Sequence, residues 1–273
     1  MRKVEGVFSA LVTPLEGDRI IETVLRDLVE FQLGSGLAGF FVCGSTGQGV
    51  LLDVAERQRV AEVVVEQNRG RGVVIVHAGA KATREVIRLV RHAEEIGADA
   101  VAALPPFYFR LDHVAIVEHY RAIGEATRLP LLIYHIPNLT QVRVTTDIIR
   151  ALQDVGNFIG LKYTDYDLYH MQNLMKASSR PLTILSGAEE VFFPALTMGA
   201  QGSIGTTQNC LPWAFAEIYR AFLAGDYARG RWLQSLANDV ISVLETEYPI
   251  LSTAHAALEL LGFPCGSLRQ PLR

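Results

Sequence analysis

The sequence has little cysteine and no metal-binding spacing. Its three cysteines, Cys43, Cys210 and Cys265, are widely scattered over 273 residues. They make neither a disulfide framework nor a Cys-x-x-Cys pair, a usage that fits a reducing cytosol. The seven histidines include no His-Glu-x-x-His, and His113 and His119 do not share a helix face. No metal and no cofactor are expected. There is no basic tract and the formal net charge is -4, which argues against nucleic acid as a partner. No uninterrupted apolar run approaches the roughly 18 residues needed to span a membrane. The opening Met1-Arg2-Lys3-Val4-Glu5-Gly6 is basic, but the apolar stretch after it is cut by Thr13-Pro14, which makes a poor signal peptide. A cytoplasmic protein is expected. Gly-x-Gly-x-x-Gly is missing from the first helical pattern, so a dinucleotide fold is disfavoured.

What remains is a chain that is 49% hydrophobic and 20% charged, ample for a large core. Short β-rich runs alternate with longer helical patterns. The expected strands are Val7–Val12, Gly39–Cys43, Val73–Ala78, Ala100–Leu104, Leu131–Ile136, Phe158–Thr164, Leu182–Ser186 and Gly202–Gly205. Amphipathic stretches such as Val54–Asn68, Thr83–Ile96, Val114–Ala126 and Thr145–Val155 lie between them. About eight strand–helix alternations in roughly 250 residues predict an α/β fold, the (β/α)8 TIM barrel. An open doubly wound sheet would give a similar pattern. Leu211–Ala224, Tyr227–Thr246 and Leu251–Leu261 then read as three successive helices. No linker sets the last two apart, so residues 1–225 read as the barrel and 226–273 as a helical extension packed beside it.

One residue breaks the apolar pattern. Lys162 stands inside Phe158-Ile159-Gly160-Leu161-Lys162-Tyr163-Thr164. Burying its charge costs several kcal/mol or forces the amine neutral. A neutral amine attacks ketones to form a Schiff base; the plainer alternative is a strand-end lysine reaching solvent. Alternation places Gly160, Lys162 and Thr164 on the bore face, and Ile159, Leu161 and Tyr163 against helices.

Barrel chemistry sits at the C-terminal ends of strands. Tyr134, ending the fifth strand, is a candidate acid/base group across the barrel from the lysine, or a core tyrosine bonded to a backbone carbonyl. His135 faces away and reads as structural. The second strand runs into Gly44-Ser45-Thr46-Gly47-Gln48-Gly49, an anion nest with two hydroxyl donors that suits a carboxylate. Asp53 and Glu56 beyond it form a capping box. Ser186 and Glu189 have the same spacing, whereas Glu190 is free to accept hydrogen bonds from a polyol. The hydroxyls and amides of Gly202-Ser203-Ile204-Gly205-Thr206-Thr207-Gln208-Asn209 also suit a sugar-like ligand.

Together these motifs resemble the class I pyruvate aldolase family that includes N-acetylneuraminate lyase and dihydrodipicolinate synthase. The resemblance runs the length of the chain. It implies a homotetrameric (β/α)8 barrel in which Lys162 forms a Schiff base with the pyruvate moiety. Ser45 and Thr46 would hold the carboxylate, and Tyr134 would shuttle protons. Tyr108 matches an aromatic position that approaches a neighbouring subunit's site in some members. The synthase branch carries an arginine where this chain has Leu139, and leucine cannot replace a guanidinium fork. The lyase branch is closer: Thr164 and Thr206 match hydroxyls that meet the sugar acid, Gly187 a backbone contact, and Glu190 a carboxylate for the polyol tail. Two positions depart from it. Gln48 replaces a glutamate, and Glu189 replaces an aspartate and would reach about one methylene further into the distal pocket. The implied partners are a 2-keto sugar acid and pyruvate. The implied reaction is cleavage of N-acetylneuraminate, or a related sialic acid, to pyruvate and an N-acylhexosamine. Action on another 2-keto-3-deoxy sugar acid, dihydrodipicolinate synthesis and non-catalytic keto-acid sensing are the alternatives.

Overall fold

The computed structural model describes residues 2–245 and 249–273. Met1 of the basic opening and Thr246, the expected end of the second tail helix, lie outside the described residues. Among those residues eight parallel strands close into a barrel: β1 (Gly6–Ala10), β2 (Gly39–Val42), β3 (Val73–His77), β4 (Ala100–Ala103), β5 (Leu131–His135), β6 (Phe158–Tyr163), β7 (Thr183–Ser186) and β8 (Gly202–Gly205). Each pairs with the next, and β8 returns to β1 with Gly202 opposite Gly6. A closed ring leaves no edge strand. The expectation of a (β/α)8 barrel holds, and the open sheet is excluded.

The outer helices are α1 (Glu22–Gly34), α2 (Val54–Asn68), α3 (Thr83–Glu95), α4 (His113–Ala126), α5 (Thr146–Ala151), α6 (Leu168–Ala177), α7 (Phe192–Thr197) and α8 (Pro212–Leu223). The tail adds α9 (Tyr227–Leu244) and α10 (Ile250–Leu260). Asp53 and Glu56 form the expected reciprocal capping box at the start of α2. The helix expected over Thr145–Val155 is only six residues long, because Leu152 leaves helical geometry and the chain turns toward β6. A ribbon of Leu15–Glu16 against Arg19–Ile20 has no sequence counterpart above.

Alternation separates a core inside the bore from apolar packing between strands and helices, and a further cluster joins Val7 to α7, α8 and α9 through Phe192, Phe215 and Leu233. Phe8, Phe41, Ile75, Leu132, Leu185 and Ile204 fill the bore. Val42, Val74, Val101, Ile133 and Leu161 face the helices. Each such side chain, fully buried, stabilises the fold by about 1.5–3 kcal/mol.

β6 breaks the alternation once. Leu131 pairs with Phe158 and Leu132 with Gly160, so Ile159 is an extra residue. Ile159 therefore packs against the bore cluster rather than the helices, correcting the face assigned to it above. The bulge requires glycine: Gly160 has φ +154°, and a Cβ there would lie 1.9 Å from the Thr183 carbonyl oxygen. Beyond it the pattern resumes, which sends Leu161 and Tyr163 outward and Lys162 inward.

The tail is tied to the barrel mouth. Gln234 of α9 donates to the Glu189 carbonyl and accepts from the Phe193 N–H, and Asn238 donates to the Glu190 carbonyl. After α10 the chain returns past Leu15, whose N–H donates to the Cys265 carbonyl. The Arg269 N–H donates to Gln48 Oε1 at 2.6 Å, and its guanidinium meets Glu56 at 2.8 Å. No helix among the described residues is long and apolar enough to cross a membrane.

Gly160→Ala forces a methyl into the β7 backbone. We expect it to lower stability by more than about 2 kcal/mol, measured by urea unfolding; an unchanged midpoint would show that the bulge is not needed.

Candidate active site

Lys162 ends in the bore at the C-terminal mouth, only 3% exposed. Among the described residues no carboxylate lies within ion-pair distance of its amine. Two rings bracket Nζ instead, Phe41 with its centroid at 4.3 Å and Tyr134 at 4.2 Å. Ring faces stabilise an ammonium modestly and carry no formal charge to pair with one. Phe41 comes from β2, opposite β6. Tyr134 comes from β5 and is the residue paired with Lys162. The phenol is thus beside the lysine, not across the barrel, because consecutive strands of this fold are neighbours.

The rim above Lys162 is built from loops. The Tyr134 hydroxyl lies 3.3 Å from Ser45 Oγ. Thr46 Oγ1 lies 2.7 Å from Thr206 Oγ1, joining the loops after β2 and β8. Ser45 with Tyr134 and Thr46 with Thr206 thus form two hydroxyl pairs, carried on consecutive residues of the loop after β2. Thr164, two residues past the lysine, has a buried Oγ1 without a partner. It stands against Gly187, where a Cβ would lie 1.9 Å from that oxygen. The approach requires glycine at 187.

Glu189 does something the sequence did not disclose. The expected capping box with Ser186 is absent: Ser186 Oγ donates to the Ala188 carbonyl. A single 3-10 turn follows, so no helical first turn receives the side chain. The Glu189 carboxylate instead accepts the N–H groups of Thr206, Thr207 and Gln208 at 2.7, 3.0 and 3.2 Å. Its extra methylene reaches that backbone rather than the distal pocket. Burial pushes its carboxyl up to about 7, helped by the charge of Glu190, although the three N–H groups act the other way. Glu190 accepts the Tyr166 hydroxyl at 2.7 Å.

Two expected ligand contacts are occupied internally. The Gln208 amide accepts from the Gly205 N–H and donates to Ser203. Asn209 accepts from the Val12 N–H and donates to the Ala10 carbonyl. Both are fully buried, so of this segment Thr206 is the hydroxyl joined to the rim. Gln48 is likewise turned to Arg269. His135 stacks on Tyr163 with centroids 4.8 Å apart, on the outer face as expected. Tyr108 is 89% exposed with φ +80°, and its ring meets Phe109 edge-on at 5.0 Å.

The sequence reading passed over His77. It ends β3 on the bore face, and its ring lies 5.5 Å from Tyr134 and 5.7 Å from Phe41. The alternation Val73, Ile75, His77 carries the same signal that disclosed Lys162.

The chain matches the dihydrodipicolinate synthetase family over residues 3–273. It belongs to that family. N-acetylneuraminate lyases from Salmonella typhimurium and Salmonella newport are each 37% identical to it over 245 residues, 89% of this chain and 82% of theirs. Among solved structures, CdNal from Clostridium difficile in complex with mannosamine superposes with a TM-score of 0.95 at 27% identity, covering 100% of this chain and 94% of that one. A catalytic-lysine mutant of Ruminococcus gnavus sialic acid aldolase gives 0.95 at 28% identity, covering 100% and 92%. Dihydrodipicolinate synthase from Aquifex aeolicus gives 0.94 at 29% identity, covering 98% and 92%. This member of the dihydrodipicolinate synthetase family is a carbon–carbon lyase of the class I aldolase type.

Between pH 4.5 and about 7 folded Glu189 keeps a proton that the unfolded carboxyl has released. Its contribution to stability therefore falls as pH rises through that window. Thermal unfolding of Glu189→Gln from pH 4.5 to 8 is expected to show a shallower decline than the parent; parallel curves would remove Glu189 as the cause.

Proposed function

We propose that this protein cleaves N-acetylneuraminate, or a close sialic acid relative, to pyruvate and an N-acylhexosamine through a Schiff base on Lys162. The observation that carries the reading is a buried lysine amine with no carboxylate partner, beside two hydroxyl pairs. An α-keto acid supplies what that arrangement lacks. Its carboxylate would be held by Ser45 and Thr46 and would balance the ammonium, while its ketone would meet the amine.

Lys162 Nζ gives up a proton through Tyr134 to the substrate's carbonyl oxygen as its lone pair attacks C2 of the open-chain form, and the carbinolamine then loses that oxygen as water to give an iminium. Tyr134, linked to Ser45 at 3.3 Å, moves protons on and off the hydroxyls in these steps. A base, Tyr134 or the substrate's own carboxylate, takes the C4 hydroxyl proton. The C3–C4 bond breaks, its electron pair passes to the iminium, and the N-acylhexosamine leaves as an aldehyde. The enamine is protonated at C3, and one water releases pyruvate and the free amine. Thr164, Gly187, Glu190 and Thr206 line the distal side. Glu189 acts there by holding the backbone of Thr206.

The uncharged Leu139, 66% exposed, supports a lyase over the synthase, which needs a second-carboxylate site. One observation favours another substrate within the same chemistry. Tyr166 occupies Glu190, and Glu189 is turned away from the mouth, so a shorter 2-keto-3-deoxy sugar acid would leave those bonds intact. We further propose a cytoplasmic homotetramer. Exposed Tyr108, Phe109, Leu111 and Leu139 form an apolar surface of the sort covered by a partner.

Borohydride trapping with N-acetylneuraminate, read by peptide mass spectrometry, is expected to leave a pyruvate-sized adduct on Lys162 and to release N-acetylmannosamine. An adduct from pyruvate alone would retain the aldolase and reject the sialic acid. Lys162→Ala should abolish turnover with the fold intact, and activity in that variant would sink the mechanism. Tyr134→Phe should reduce kcat at least about a hundredfold; unchanged kcat would remove its proton-transfer role. Light scattering should give four times the chain mass, and a monomer at micromolar concentration would reject the assembly.

A further inference from the structure

His77 is 1% exposed and has no place in the chemistry above. Its Nδ1 lies 2.8 Å from the Cys43 carbonyl oxygen. A carbonyl only accepts, so Nδ1 carries the proton. Burial, with the charges of Arg57 and Lys162, holds the imidazole down to about 3, so the ring is neutral and Nε2 keeps its lone pair. Nε2 is buried without a partner. A fold that leaves a buried nitrogen unsatisfied calls for an explanation.

The rest of the imidazole is engaged: Nδ1 and the ring plane each meet a neighbour that belongs to the site. Cys43 is the last residue before the Gly44-Ser45-Thr46 loop, and it sits in left-handed backbone at φ +59°, where a side chain is disfavoured. The His77 proton holds the carbonyl of that strained residue. On the other side the His77 ring meets Tyr134 edge to face at 88°. Beneath, the fully enclosed Arg57 guanidinium grips the His77 carbonyl at 2.6 Å and the Gly79 carbonyl at 2.9 Å, fixing the strand end that carries the imidazole. Phenylalanine would keep the aromatic edge and lose the donor. Asparagine would keep a donor and lose the edge. Histidine alone among side chains of this size supplies both.

We propose that His77 is a positioning residue that couples the two halves of the site, bracing the Ser45–Thr46 loop through the Cys43 carbonyl and aiming Tyr134 through the perpendicular contact of their rings. The inference rests on the Schiff-base reading. Its two functions separate by substitution, and pyruvate is the probe because it is common to every substrate considered.

The test measures borohydride trapping of pyruvate on Lys162 in the full chain, with half-saturating pyruvate and the saturated rate recorded separately, and thermal unfolding alongside. His77→Phe is expected to raise half-saturating pyruvate about tenfold with a saturated rate within about threefold of the parent. His77→Asn is expected to leave half-saturation within about twofold and to slow the saturated rate about tenfold. That crossed pattern supports the coupling. Variants identical to the parent in both quantities, or variants that lose both together in step with a lowered Tm, overturn it while the parent still traps pyruvate. A parent that traps no pyruvate overturns the Schiff-base reading first and this inference with it.

Discussion

The interaction on which the site depends is one that the fold withholds: a counter-ion for Lys162. Desolvating an ammonium is costly, and proteins usually offset the cost with a carboxylate. Here two ring faces take that place. Rings accommodate the amine without forming an ion pair, so no protein carboxylate competes for it. The rest of the mouth can be understood as support for that exposed chemistry in a dry place. The bulge at Gly160 turns the lysine inward, two hydroxyl pairs stand at the rim above it, and Glu189 fixes the backbone that carries Thr206.

Glu189 shows how such support is built. A buried carboxylate needs donors, and three successive backbone N–H groups at 206–208 supply them. The same bonds hold Thr206 where its hydroxyl reaches Thr46. The loops after β2, β7 and β8 therefore behave as one unit, joined by side chains rather than by ladder bonds. The α9 residues Gln234 and Asn238 secure that unit from behind.

The barrel was legible because its strands alternate and its helices are amphipathic, both local properties. Lys162 was legible because a charge inside an apolar run stands out. The Ser45–Thr46 loop was legible because consecutive glycines and hydroxyls are unusual. What escaped shares one cause: it depends on which elements meet. Nothing within Phe158–Thr164 reveals that Ile159 is the extra residue of a bulge, since the register is set by Leu131 and Leu132. Nothing in Glu189's neighbourhood reveals that its partners lie seventeen to nineteen residues on. The spacing to Ser186 suggested a cap that the short turn after β7 does not provide. His77 was within reach of the alternation argument, but histidine does not break an apolar pattern as loudly as lysine does.

The bond from the Arg269 N–H to Gln48 spans 221 positions of sequence and closes the chain's last segment onto the loop that carries Ser45 and Thr46. Synthesis runs from the N-terminus, and barrel strands can pair as they emerge from the ribosome. Yet the loop beside the lysine receives its final tether only after residue 269 has been made. The lysine is thus translated more than a hundred residues before its surroundings can be finished. A nascent barrel thus carries its buried lysine in a mouth that still lacks this tether.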